Sequence, residues 1–373
     1  MKVLELFGGI GACTSALKRL GLTIDVVDYV EIDKYACASY NAINGTDFEV
    51  QDVCKWDKDI DVDLIMHGSP CQDFSVAGNN AGGDKGSGTR SSLMYETIRI
   101  VDKLRPKYVV WENVKNLLSA KHRHNFEAYL ETMKALGYTN YYQVLNAKDY
   151  GIPQNRERVF TISVLGTHDS FMFPSKQPLE LRLKDLLEDD VDEKYYVSSQ
   201  LELKNNNSIS GCVQIGMLNI KGMDCVRRVY SDEGLSPTLT NMQGGNRQPK
   251  VVLKSKCKRL ASLVEKTNFE EGKVLNMDLY NQSTCENISQ CLTEPHHNSQ
   301  RLFDGYRIRK LTPKECWRLM GFSDEDFEKA AKVNSNTQLY KQAGNSIPIN
   351  VLVGIFKNLF EGDVLNVNYR KDT

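Results

Sequence analysis

No apolar run in this 373-residue chain approaches the roughly 20 residues a helix needs to cross a bilayer, so a membrane-spanning function is not expected. A signal peptide is not expected either, because Met1-Lys2-Val3-Leu4 reads as entering a strand directly. Ten cysteines are present, yet none form a C-x-x-C pair and no close spacing suggests a disulfide framework. Reduced thiols and a cytoplasmic location are the expectation. The same lack of tight pairing argues against zinc at Cys285, Cys291, His296 and His297, so no metal is expected. Charge of one sign is not in excess either. A formal net charge of −1 excludes a general polyanion binder, and any nucleic-acid surface must be local.

What is present belongs to a globular protein: 41% hydrophobic and 25% charged residues, in a chain long enough for two domains. The first half has a βα rhythm. Lys2 to Phe7 reads as a strand, Gly8-Gly9-Ile10-Gly11 as a glycine turn, and Ala12 to Leu20 as a helix stopped by Gly21. This resembles a nucleotide-type site, although it is not the full G-x-G-x-x-G. Asp25 to Asp33 is a second strand, ending at Glu31, about 20 residues beyond the glycines, where an acid grips a ribose hydroxyl. Val50-Gln51-Asp52-Val53 is a third candidate strand end, with Asp52 either accepting from an adenine amino group or capping a helix.

The stretch Asp61 to Gly78 (DVDLIMHGSPCQDFSVAG) has a short apolar strand broken by Gly68 and Pro70. Cys71 follows at once, in the crevice beyond the strand end where open α/β sheets bind ligands, and is a candidate nucleophile. The polar, glycine-rich stretch Gly78 to Arg90 suits a lid. Ser92 to Leu104 is predicted as a helix and Tyr108 to Trp111 as a strand, with Glu112-Asn113-Val114 at its end. A carboxylate held there by apolar walls would serve as an acid. Gln154, Arg156 and Arg158 precede or open the strand Val159 to Val164, alternating to one face, a set able to clamp an anion or a planar polar base.

Beyond Pro174 the rhythm stops. Lys221 to Arg259 carries nine positive residues against three acids, a net of +6. Within it, Ser236 to Gln248 is rich in amides and glycine, and suits reading of base edges and phosphates. A weak echo follows at Ser289 to Thr293. Lys310 to Met320 is predicted as a helix capped by Thr312, and Gln342 to Pro348 as a ligand-lining turn before the helix Ile349 to Phe360.

Taken together, FGGIG, the acid of VEID, GSPCQ, ENV, QNRER, RKLTPKECWRLMGF and QAGNSIP resemble the DNA (cytosine-5)-methyltransferases from first strand to last helix. The resemblance implies an α/β, Rossmann-like S-adenosylmethionine-dependent fold with a smaller, mostly β target-recognition domain. The expected boundaries are 1–174 for catalysis and cofactor, 175–330 for target recognition, and 331–373 for a return to the catalytic domain. It implies Cys71, Glu112, Arg156 and Arg158 as catalytic residues. Phe7, Gly9, Ile10, Gly11, Glu31, Ile32, Asp52, Val53, Pro70, Leu93, Asn345 and Ser346 would surround S-adenosyl-L-methionine. Gln72, Ser75, Gln154, Thr238, Gln243, Asn246 and Arg247 would face double-stranded DNA, with Thr238-Leu239 as the family's Thr-Leu element. A compact bacterial or phage-type enzyme, without regulatory extensions and paired with a restriction endonuclease, is the implied setting. The rival readings are a tRNA-methylating branch, a nicotinamide-dependent oxidoreductase and an inactive DNA-binding relative. The large basic segment and the missing CFT signature oppose the first. The second gives no role to Cys71, Glu112 and Arg158, and their presence opposes the third.

Overall fold

The computed structural model describes residues 1–70, 93–166, 171–197, 201–209, 211–242, 246–254, 275–278, 283–286, 300–303 and 306–360. The chain forms two compact units. One comprises Met1–Leu187, Leu235–Arg247 and Pro313–Thr373, the other Glu188–Gly234 and Gln248–Thr312. The expected boundaries at 174 and 330 therefore move. Arg318 donates to the Leu186 carbonyl at 3.0 Å and Trp317 to the Leu339 carbonyl at 3.0 Å, which ties both segments to the first unit. Ser236 joins it too, because its N–H reaches the Pro153 carbonyl at 2.9 Å.

The first unit is built on a six-stranded sheet of β1 (Lys2–Leu6), β2 (Asp25–Val30), β3 (Leu64–His67), β4 (Tyr108–Val114), β5 (Tyr138–Asn146) and β6 (Glu157–Leu165), ordered β2-β1-β3-β4-β6-β5. The first four are parallel, and β6 and β5 run against their neighbours. Strands buried on both faces need near-continuous apolar sequence, and LIMH and YVVW supply it. Helices α1 (Ala12–Arg19), α2 (Lys34–Asn44), α3 (Met94–Leu104) and α4 (Arg123–Ala135) follow four of the strands or their loops. Val50 to Val53 is not a strand. Gln51 donates its backbone N–H to the Glu31 carbonyl, and a turn starts at Val53.

The second unit holds a five-stranded sheet of β7 (Leu201–Ile209), β8 (Cys212–Leu218), β9 (Arg228–Ser231), β10 (Lys250–Lys254) and β14 (Tyr306–Lys310), ordered β14-β10-β9-β8-β7. A short helix α5 (Asp224–Arg227) precedes β9. A three-stranded sheet pairs β11 (Leu275–Asp278) with β12 (Ser283–Glu286) and β13 (Gln300–Phe303). Both sheets lie in the part of the chain where the βα rhythm stops, and Leu218, Val229 and Val252 form a core of their own.

The C-terminal part of the first unit is helical: α6 (Pro313–Arg318), α7 (Asp324–Ala331), α8 (Asn336–Asn345) and α9 (Ile349–Leu359). Gly344 and Asn345 are thus the last residues of a helix rather than a turn, and the turn proper is Ser346-Ile347-Pro348. Among the described residues no helix is long and apolar enough to cross a membrane, and no His, Cys, Asp and Glu group could hold a metal ion.

Candidate active site

The parallel pairing of β3 with β4 sets His67 opposite Trp111. There β3 ends, but β4 continues to Val114 because antiparallel β6 pairs with it on the other side, Glu112 opposite Phe160 and Val114 opposite Arg158. Glu112 therefore lies inside β4, not past its end, and projects beyond the end of β3. Side chains two apart on a strand share a face, so Glu112 and Arg158 meet diagonally. Arg158 Nε stands 3.0 Å from Glu112 Oε1, with the two side chains only 15% and 12% exposed. A methyl group added to Gly68 would lie 3.8 Å from Glu112 Oε2. Burial raises the pKa of Glu112, and the charges of Arg158 and Arg156 offset that rise only in part.

The chain leading to Cys71 is anchored to β4. Trp111 donates from Nε1 to Ser69 Oγ at 3.0 Å, and Asn113 from Nδ2 to the Ser69 carbonyl at 3.3 Å. Cys71, Gln72 and Ser75, with the Gly78 to Arg90 stretch, lie outside the described residues. His67 is fully buried and stacked on Trp111 at 5.6 Å, and burial pulls its pKa down to about 3. It stays neutral at physiological pH and serves packing.

Beside β3, and parallel to it with Leu6 opposite His67, β1 runs into the glycine turn at the same edge of the sheet. Phe7 and Gly9 have φ of 53° and 56°, in the left-handed region. Gly8 packs its backbone on Tyr29, whose ring would be 2.6 Å from any added Cβ. A Cβ on Gly9 would meet no described atom within 4 Å, so this face of the turn is open. Gly9 donates its N–H to Glu31 Oε2 at 3.0 Å, and Asp33 to Glu31 Oε1 at 2.8 Å. These bonds hold the carboxylate in one orientation while each oxygen keeps acceptor capacity. Burial raises the pKa of Glu31, and the backbone donors counter it. Ile32, next in sequence, is 69% exposed. Ile10 is buried, whereas Val53 belongs to the core and Leu93 packs against it. Asp52 accepts from the Cys54 N–H at 3.0 Å and caps a turn, and no helix follows it. Asn345 is exposed and Ser346 buried.

Sequence reasoning missed the supports of this region. Asp28 accepts from Gln51 Nε2 at 2.8 Å and Trp56 Nε1 at 2.7 Å, and pairs with Lys58 at 2.7 Å. Burial alone would raise its pKa, but these donors outweigh it and hold the carboxyl below the usual range. Lys341 pairs with Asp33 at 2.5 Å, which ties α8 to the start of α2. An acid inside a buried strand, as Asp28 is, was the available signal.

The QNRER segment divides in a way that alternation along a strand does not predict, because β6 begins only at Glu157. Gln154 is fully buried; Nε2 donates to the Leu319 carbonyl at 2.8 Å and Oε1 accepts from the Leu239 N–H at 3.3 Å. Both of these bonds go to backbone. Arg156 is 3% exposed and donates to the carbonyls of Leu239, Gly344 and Ser346 at 2.9, 3.0 and 2.8 Å. All three of these bonds go to backbone, and its charge also bears on Glu112. Thr238 is exposed and donates to the Asn155 carbonyl at 2.5 Å. Asn246, with φ 57°, and Arg247 are exposed, and Gln243 lies outside the described residues.

The comparisons with known proteins match this layout. The C-5 cytosine-specific DNA methylase family matches residues 1–361. The orphan methyltransferase M.SPBetaI of Bacillus phage SPbeta is 34% identical, covering 96% of this chain and 97% of its own. The type II methyltransferase M2.ScrFI of Lactococcus lactis subsp. cremoris is 39% identical over 81% of this chain and 67% of its own. Among solved structures, the Dnmt2 methyltransferase of S. pombe shares the fold with a TM-score of 0.62 at 17% identity, covering 97% of this chain and 99% of the other. A buried acid–arginine pair at the end of β3, an oriented acid beside an open glycine turn, and a family match over nearly the whole chain agree: this protein belongs to the C-5 cytosine-specific DNA methylases and is a DNA cytosine-5 methyltransferase.

Proposed function

We propose that the enzyme methylates carbon 5 of a cytosine flipped out of a specific double-stranded DNA sequence, through a covalent bond between Cys71 and carbon 6 of the base. Carbon 5 of cytosine is a weak nucleophile. Attack by the Cys71 thiolate at carbon 6 turns the ring into an enamine, whose carbon 5 can take up an electrophilic methyl group. Glu112 in its protonated form donates to N3 and stabilises the charge that develops on the ring. Arg158 donates to the base carbonyl oxygen while holding Glu112. Loss of the carbon 5 proton and expulsion of Cys71 restore the aromatic ring. A base inside a stacked duplex cannot reach such a site, which is why flipping belongs to this reading. The observation that carries it is the Glu112–Arg158 pair beside Gly68, where burial raises the carboxyl's pKa and so favours its protonated form.

S-adenosylmethionine supplies the methyl group when bound, and the residues present fit it. The open face at Gly9 and the strained backbone at Phe7 allow close approach, Glu31 is set to accept from ribose hydroxyls, and exposed Ile32 offers an apolar surface to a purine. Asp52, Pro70, Asn345 and Ser346 complete the surroundings in this reading. The first unit then carries catalysis and cofactor, and the second, with Thr238, Asn246 and Arg247 of the first, target recognition. The type II methyltransferase among its relatives supports functional pairing with a restriction endonuclease. Bisulfite sequencing of DNA from cells expressing the enzyme tests the proposal: protected cytosines should fall in one recurrent sequence, and their absence would defeat it.

Glu31→Ala is expected to weaken S-adenosylmethionine binding. It removes a charge-assisted contact worth about 1.5–3 kcal/mol. Titration calorimetry should show a loss of roughly one to two decades in affinity. Unchanged affinity would place the ribose elsewhere.

A further inference from the structure

Two segments far apart in sequence meet backbone to backbone in the first unit. A Cβ added to Gly344, near the end of α8, would overlap the Thr240 carbonyl and come within 2.8 Å of Asn241 Cα. One side chain spans the same junction. Arg156 Nη1 donates to the Leu239 carbonyl at 2.9 Å, and Nη2 to the carbonyls of Gly344 and Ser346 at 3.0 and 2.8 Å. Below it, Gln154 Oε1 accepts from the Leu239 N–H, and Thr238 Oγ1 donates to the Asn155 carbonyl. The residues from Gln154 to Arg156 therefore fasten Thr238–Leu239 on one side, and Arg156 alone of the three carries the link on to the turn at Ser346. A guanidinium suits this task, because its donors form a rigid planar fork and its charge does not change with pH. In a site with 3% exposure those donors compete little with water.

We infer that Arg156 is a positioning residue that holds the Thr238–Leu239 segment on the end of α8 and the Ser346 that follows it, so that one side chain sets both the DNA-facing and the cofactor-facing backbone. The inference rests on the proposal that these segments face DNA and S-adenosylmethionine. It departs from a catalytic role: Arg156 acts through backbone, and Arg158 is left to meet the base.

The test is steady-state methylation by the full-length enzyme, with DNA and S-adenosylmethionine varied in turn, for wild type, Arg156→Lys, Arg156→Met and Gly344→Ala. Arg156→Met should raise KM for both ligands together, by about tenfold each, with kcat at saturation within about threefold of wild type. Arg156→Lys should fall between, since an ammonium lacks the fork that reaches two carbonyl groups at once. A fall in kcat of about a hundredfold or more with both KM values unchanged would overturn the inference in favour of contact with the reacting base. So would a change in only one KM. Should Arg156→Met fail to fold, Gly344→Ala decides, because it keeps the arginine and forces the two backbones apart. The paired rise supports the inference there, and two unchanged KM values overturn it. Failure of the wild type to transfer methyl groups from S-adenosylmethionine to DNA would defeat the functional reading itself, and is visible before any variant is made.

Discussion

Cys71→Ala is expected to abolish methyl transfer, by on the order of 10⁴-fold or more, while leaving S-adenosylmethionine affinity near that of the wild type. Removing a nucleophile does not slow one step among several; it removes the only route by which the ring becomes electron-rich enough to be methylated. The wild type should also form a denaturation-resistant adduct with DNA carrying 5-fluorocytosine, because after methylation the fluorine cannot leave as the proton does. The Ala variant should form none. A gel shift under denaturing conditions reads both. Methylation or trapping by the variant would show that another group attacks carbon 6. The neighbourhood supports the assignment without deciding it: Ser69, two residues before Cys71, is fastened to Trp111 and Asn113 of β4, and Glu112 stands between those two in sequence.

Glu112→Gln is expected to lower kcat by about 10²–10⁴-fold, the usual contribution of a positioned acid. The amide still offers a hydrogen bond but cannot give a proton to N3. The pH profile separates this role from a packing role. Burial raises the pKa of Glu112 above the ordinary carboxylate value of about 4.3, so the protonated form persists to higher pH than in the unfolded chain. Activity that needs this proton should decline as pH rises through the raised pKa, and the Gln variant should lose that limb. Stability follows the same sign. A group whose pKa is higher in the folded state favours folding fully below the unfolded value, and its contribution is lost as pH rises through the folded value. Thermal melts of wild type across that window should therefore fall relative to the Gln variant. A variant that keeps the wild-type pH limb would move the acid to another residue.

Much of this protein was legible in its residues. Short, near-continuous apolar runs followed by glycine turns mark an α/β sheet whatever surrounds them, because a parallel strand buried on both faces tolerates little else. Cys71 after Gly68 and Pro70, and Glu31 some twenty residues beyond the glycines, could be nominated from spacing alone, since local chain geometry puts a residue just past a strand at the sheet's edge. The family followed from several such motifs in one order. Composition likewise signalled a second unit, where the βα rhythm stops and basic residues gather.

What only the tertiary structure decided is which chemically similar residues meet. Gln154, Arg156 and Arg158 are spaced alike, yet one is locked on backbone beneath Leu239, one bridges to Ser346, and one reaches Glu112. Alternation could not separate them, because β6 begins only at Glu157 and the residues before it are bent by pairing with Ser236. Asp52 looked like a strand end and proved a turn cap, and Gly344 looked like a turn and proved the end of a helix. For Gln154, Arg156 and Arg158 the deciding partners lie tens to hundreds of residues away. Burial and hydrogen-bond satisfaction are properties of the assembled core, so a polar residue's role is settled by which backbone groups the fold brings within its reach.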